Sequence, residues 1–225
     1  MQAKMHNVQA GRKAVNVRAT SLEILDVAQE LFQTRGYNGI SYQDIAERVG
    51  IRKASIHHHF SGKAVLAAAL VNRYRAEWRS TLAAIDRTES DPWAKIDRYL
   101  APFRATARTG DRVCLCGVLG AEFPSLTRPV QREVEGFFKE NHAWLVRVLA
   151  GGRTSGAFAF AGSAASKAGA FFACLEGALV VARACGSLRS LDAVVKQLKA
   201  ELRLPNAAKR VGPRARPALR FTRKT

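Results

Sequence analysis

The 225-residue chain predicts an all-α protein on three observations: apolar residues recur at helical spacing along most of its length, Gly and Pro fall between the periodic segments, and almost nothing recommends strands. Two helical domains are expected between two charged ends. The boundaries fall at 1–20 for a basic arm, 21–65 for a three-helix unit, 66–204 for a larger helical body and 205–225 for a basic tail.

The first helix spans 21–35, with Ile24, Leu25, Ala28, Leu31 and Phe32 on one stripe and Gly36-Tyr37 after it. Ser41 is a good N-cap for a second helix over 42–49, and Asp44 stands three positions on to return the cap bond. Gly50 supplies the left-handed stop. A third helix over 52–59 turns Ile56 inward, and Phe60 anchors its end. A linking helix over 64–82 carries Leu66, Leu70, Tyr74 and Trp78 every four residues. A loop at 88–92, a helix at 93–107, a loop at 108–112 and a helix at 113–122 follow. The long helix at 129–149 starts on Pro129, a tolerated first position, and ends at Gly151, Gly152 and Gly156. Two more helices are expected, at 161–184 and at 190–202, the last capped by Ser190.

Residues 41–63, SYQDIAERVGIRKASIHHHFSGK, have the form of a helix-turn-helix DNA reader. At about 100° per residue, Ala54 and His58 lie opposite Ile56, with Ser55 and His57 on the flanks, so small and hydrogen-bonding groups face a groove. Arg52 and Lys53 stand at the entry to that helix. Three consecutive histidines are poor metal ligands, because helical neighbours splay and no Cys or acid lies at i+4.

This stretch, with the apolar helix before it and the ending His59-Phe60-Ser61-Gly62-Lys63, resembles the DNA-binding domain of the tetracycline-repressor (TetR/AcrR) family of bacterial regulators. The likeness runs over roughly residues 22–70, and this chain has His58 where the family usually carries a tyrosine. The resemblance implies that Ser41, Tyr42, His59 and Lys63 hold phosphates, while Arg52, Lys53, Ala54, Ser55, His57 and His58 face base edges or adjacent phosphates. It also implies a ligand pocket in the body and a dimer made by the last two helices. The candidate pocket residues are Phe103, Cys116, Leu119, Glu122, Trp144, Phe172 and Glu176. Glu122 and Glu176 sit on otherwise apolar helices, where each either orients a ligand or pairs with a base such as Arg183.

Charge agrees with a nucleic-acid partner: 36 Lys and Arg against 18 Asp and Glu leave a net +18. Much of the excess lies in the acid-free ends, which read as basic arms that follow phosphates or simply stay in water. No stretch is expected to cross a bilayer and no signal peptide is recognisable, so a cytoplasmic protein is expected. In the second-to-last helix, small residues including Gly162, Ala165, Gly169, Ala173 and Gly177 alternate with Phe171, Phe172, Leu175 and Val180, a pattern suited to close helix packing between subunits or within one.

The four cysteines lack disulfide-scaffold spacing. Cys114 and Cys116, near Arg112 and a helix start, are either small buried hydrophobes or a thiol sensor of oxidants and electrophiles. The expectation is a non-enzymatic, homodimeric regulator without cofactor or metal. It binds a pseudo-palindromic double-stranded operator as a repressor released by a small-molecule effector, with activation left open. The alternatives are a thiol or acid–base enzyme built on Cys114, Cys116 or Glu122, for which no base partner is recognisable, and a sequence-indifferent binder driven by the tails.

Overall fold

Residues 20–35 form α1, whose face of Ile24, Leu25, Ala28, Leu31 and Phe32 is buried as its periodicity requires. The computed structural model describes residues 20–203; except for Thr20, the expected arm and tail lie outside them. Gly36, at φ 80°, ends α1 and returns its N–H to the carbonyl of Phe32. Ser41 caps α2 (Tyr42–Val49) in a reciprocal box: its hydroxyl accepts from the amides of Gln43 and Asp44, and Asp44 accepts from the Ser41 amide at 2.7 Å. Gly50, at φ 77°, makes the corner to α3 (Lys53–His59), which begins one residue later than its sequence pattern suggests.

α4 (Lys63–Thr88) runs 26 residues, past the predicted end at 82, because Leu82 and Ile85 continue its buried stripe. α5 (Pro92–Arg108) is capped by Asp91, whose carboxylate accepts from the Ala94 amide, with Pro92 in the first turn. α6 (Leu115–Ala121) is shorter than the predicted 113–122 helix and passes into a 3₁₀ turn over Phe123–Ser125. α7 (Arg128–Thr154) does not stop at the Gly151-Gly152 pair. The ring of Phe158 fills the space a Cβ at 152 would need, so Gly152 serves close packing inside the helix, and Gly156 makes the left-handed exit.

α8 (Ala164–Cys185) starts on Ser163 and ends on left-handed Gly186; α9 (Arg189–Glu201) begins before Ser190, which therefore is not its cap. The described residues contain no strand, as expected of an all-α chain. α7 packs between α4 and α8, α9 lies on α8, and α5 touches all four. Arg75 of α4 pairs with Glu133 and Glu140 of α7 over Gly136, where a Cβ would collide with the guanidinium. One expectation needs correction: α8 is long and apolar enough, at mean hydropathy 1.6, to span a bilayer by length and composition. In the fold, its Ala168, Phe171, Phe172, Leu175 and Leu179 are buried in the body.

Candidate nucleic-acid interface

α3 is held to the head by a single apolar turn, with Ile56 fully buried and Phe60 following at the cap. The opposite surface carries Arg52, Lys53, Ala54, His57 and His58, all exposed, with Ser55 and His59 half-buried at its margins. The His57 ring meets the edge of Tyr42 at 4.8 Å, which orients an otherwise free imidazole. Ser41 is exposed at the start of α2, its hydroxyl shared with Asp44 at 2.6 Å. The backbone thus presents a row of cationic, hydroxyl and imidazole groups on a rod narrow enough for a major groove.

Two of the expected phosphate ligands are placed differently. Tyr42 is buried, and its hydroxyl donates to the carbonyl of Phe60 at 3.0 Å; burial, with a smaller contribution from Tyr37, pushes its phenol up to about 12. It ties α2 to the end of α3. Lys63 is half-buried, donates to the carbonyls of Tyr37 at 2.8 Å and Ile40 at 2.9 Å, and lies 4.4 Å from the Tyr37 ring centroid. Desolvation draws its pKa down, opposed by Glu122 and Asp44. These carbonyls have no helical partner at the turn, and the Lys63 ammonium satisfies them.

Glu122, expected in the ligand pocket, makes contact with the head. Its carboxylate accepts from the Tyr37 amide at 2.5 Å and from the backbone and side-chain N–H groups of Asn38. Gly36 lies directly against it, since a Cβ there would stand 2.9 Å from Oε1. Nearby, Glu30 accepts from both Arg48 and Arg112, and Gln33 exchanges bonds with the backbone of Val113. Arg183 donates to the Gln33 carbonyl at 3.4 Å and not to either glutamate. Sequence patterning does not reveal this joint. Its only local signal is Gln33, a polar residue beside the apolar stripe of α1.

The remaining pocket candidates lie in the body: Phe103, Cys116, Leu119, Trp144 and Phe172 are buried, and Glu176 is half-buried with its Oε1 sealed from solvent. Trp144 stacks on Tyr99 at 5.1 Å and donates its indole N–H to Asp86. Phe172 meets Phe103, Phe137 and Phe138. Cys114 and Cys116 are buried, and burial first, with Glu176 among the further causes, raises both thiols well above their ordinary range. Arg112 is committed to Glu30 at 2.6 Å. This environment opposes thiolate formation, contrary to the sensor alternative. Cys174 and Cys185 are exposed. Among the described residues no group of three or more His, Cys, Asp or Glu side chains is placed to hold a metal.

Comparison with known proteins gives this geometry its context. A crystal structure of a TetR-family transcriptional regulator from Agrobacterium tumefaciens is 34% identical, with a TM-score of 0.79, over 83% of this chain and 99% of that one. The HTH-type transcriptional repressor NemR of Escherichia coli (strain K12) is 22% identical over 185 residues, 80% of this chain and 92% of its own length. The HTH-type transcriptional repressor DhaR of Mycobacterium sp. (strain GP1) is 24% identical over 119 residues, a match spanning 59% of that protein. Residues 24–70, which hold α1, the capped α2, the polar α3 and the Lys63 turn, match the family described as bacterial regulatory proteins, tetR family. With the helix-turn-helix head and the helical body both accounted for over nearly the full length of a relative, the chain belongs to the tetR family of transcriptional regulators.

Proposed function

We propose that this regulator is a repressor that binds a pseudo-palindromic operator as a homodimer and is released by a small molecule. The observation that carries the reading is α3: one face is sealed by Ile56 while Arg52, Lys53, Ala54, His57 and His58 remain exposed together. In this reading Arg52 and Lys53 meet phosphates or guanine edges. Ser55, His57 and His58 read bases, and Ser41 and His59 stand at the flanking backbone. Lys63 and Tyr42 shape the reader from inside. The protein acts in the cytoplasm, where its operator is, and needs no catalytic step.

The dimer is assigned to α8 and α9. The outer face of α8 carries Ala165, Ala170, Ala173, Gly177, Val180 and Val181, all exposed, with the two valines near half their full accessibility. Small residues there allow close approach of a second copy, whose symmetry would set the spacing of the two readers. A ligand weakens DNA binding only if it favours the reader spacing that does not fit the operator. α4 and the Glu122 joint are the two mechanical links through which that preference reaches α3.

Selection of bound fragments from a random duplex pool tests the reading. A recovered inverted repeat, bound at moderate salt and lost on changing its half-sites, is the expected result. Uniform recovery of unrelated duplexes would overturn it.

A further inference from the structure

Glu176 lies on α8 one helical turn after Phe172, on the face turned into the body. Its Oε1 is sealed from solvent and has no hydrogen-bond partner among the described residues. No ion pair to it forms among those residues: Arg75, the base that acts on neighbouring Cys116, is held by Glu133 and Glu140. The Cys114 thiol is its hydrogen-bonding neighbour, and Tyr74 and Tyr99 are close enough to feel its charge. Phe172, four residues before Glu176 on α8, meets the rings of Phe137 and Phe138.

We propose that Glu176 anchors a binding site for a small organic cation, seated between α4, α6 and α8. The inference rests on the ligand-responsive reading above and names the chemical class of that ligand. A buried carboxylate without a cation is unfavourable, and burial accordingly pushes Glu176 up to about 7. An entering cation restores the missing counter-charge beside the Tyr74 and Tyr99 rings. A neutral donor satisfies the oxygen but leaves the carboxylate charge uncompensated, and an anion adds repulsion.

Gly117 shows how close the site lies to solvent. A Cβ at that position would collide with Oε2 of Glu176, so the carboxylate rests directly on the backbone of α6. The same glycine lines a cleft of about 280 Å³ between head and body, with Gly36, Val118, Glu122, Val180 and Arg183. α6 therefore separates Glu176 from that cleft by one layer of backbone. The helix has only seven residues and no side-chain N-cap, and Glu122 at its C-terminal end holds the reader's Tyr37 and Asn38. A cation drawn to Glu176 acts on the element that clamps the head.

The test uses the full chain and two isosteric probes, 4-hydroxyphenyl-trimethylammonium and 4-tert-butylphenol, in calorimetric titrations. The cation is expected to bind about tenfold or more tightly than its neutral twin. Glu176→Gln should abolish that preference while leaving operator affinity and helical content unchanged. Cation affinity in the parent should rise about tenfold from pH 6 to pH 8 as Glu176 ionises. The facing groups, Tyr74, Tyr99, Cys114 and Cys116, all have raised pKa values and remain neutral in that range. Equal affinity for the two probes, binding of neither, or a preference retained by the Gln variant would overturn the site. If that variant does not fold, a flat pH profile of the parent protein does so. Operator binding by the same preparations separates this failure from failure of the DNA-binding reading.

Discussion

Lys63 and Glu122 hold the same residue from opposite sides: the ammonium of Lys63 donates to the carbonyl of Tyr37 at 2.8 Å, and the carboxylate of Glu122 accepts from its amide at 2.5 Å. One group belongs to the first residue of α4 and the other to the residue that ends α6. The turn between α1 and α2 is thus gripped by a cation and an anion whose own charges reinforce each other. The position of the DNA reader relative to the body depends on both.

Removing the anion should loosen that turn. In Glu122→Ala the amides of Tyr37 and Asn38 lose their acceptor, a charged hydrogen-bond partner worth about 1.5–3 kcal/mol. Hydrogen exchange at these two amides should accelerate on the order of ten- to hundredfold, with α7 and α8 unaffected. Unchanged protection would show that the carboxylate does not hold the head.

Lys63 and Arg52 should separate cleanly in salt titrations of operator binding. Arg52→Ala is expected to reduce the slope of log affinity against log salt by about one, the loss of one phosphate contact. Lys63→Met should leave the slope unchanged and lower stability by about 1–3 kcal/mol, since its lost bonds are internal. A reduced slope for Lys63→Met would restore its role as a phosphate ligand.

The Ser41 box has a measurable contribution of its own. Ser41→Ala removes the acceptor for the amides of Gln43 and Asp44, and helix caps of this kind contribute about 1 kcal/mol. The Asp44 carboxyl, held below its usual range chiefly by Ser41, should titrate closer to its free value in the variant. Denaturant unfolding and carboxyl NMR shifts report the two effects.

Glu176 should make the parent protein less stable as pH rises. Its folded pKa of about 7 stands above the ordinary 4.5, so the folded state binds the extra proton between those values. Stability from this group is complete below about pH 4.5, declines through the interval and levels off above about 7. The full difference is about 3 kcal/mol. The gap between parent and Glu176→Gln unfolding free energies should move by that order across the interval, and a constant gap would contradict the burial described here.

Thiol labelling checks the cysteine environments. In the native protein Cys114 and Cys116 should be modified only on unfolding. Rapid native labelling of either buried thiol would reopen the redox-sensor alternative.

Helix identity is legible in the sequence because it is local. The stripes of α1 and α4, the Ser41–Asp44 box and the Gly50 corner are set by residues within a few positions of each other, and Ile56 against Phe60 distinguishes the dry side of α3 from the wet one. Helix ends are harder to place where distant packing overrides propensity. α7 continues through Gly151 and Gly152 because Phe158 lies against it, and α4 continues past Leu82 because Ile85 has a buried place to go.

By itself, the chain determined that there would be a helix-turn-helix head with a polar reading face on an all-helical body, because 3.6-residue periodicity and capping chemistry act over one or two turns. Only the tertiary structure decided that Lys63 and Tyr42 turn inward, that Glu122 joins body to head, and that Glu176 is shut away from any base. Those assignments depend on partners up to 85 residues apart, and no spacing along a chain encodes which distant backbone amide a carboxylate will meet.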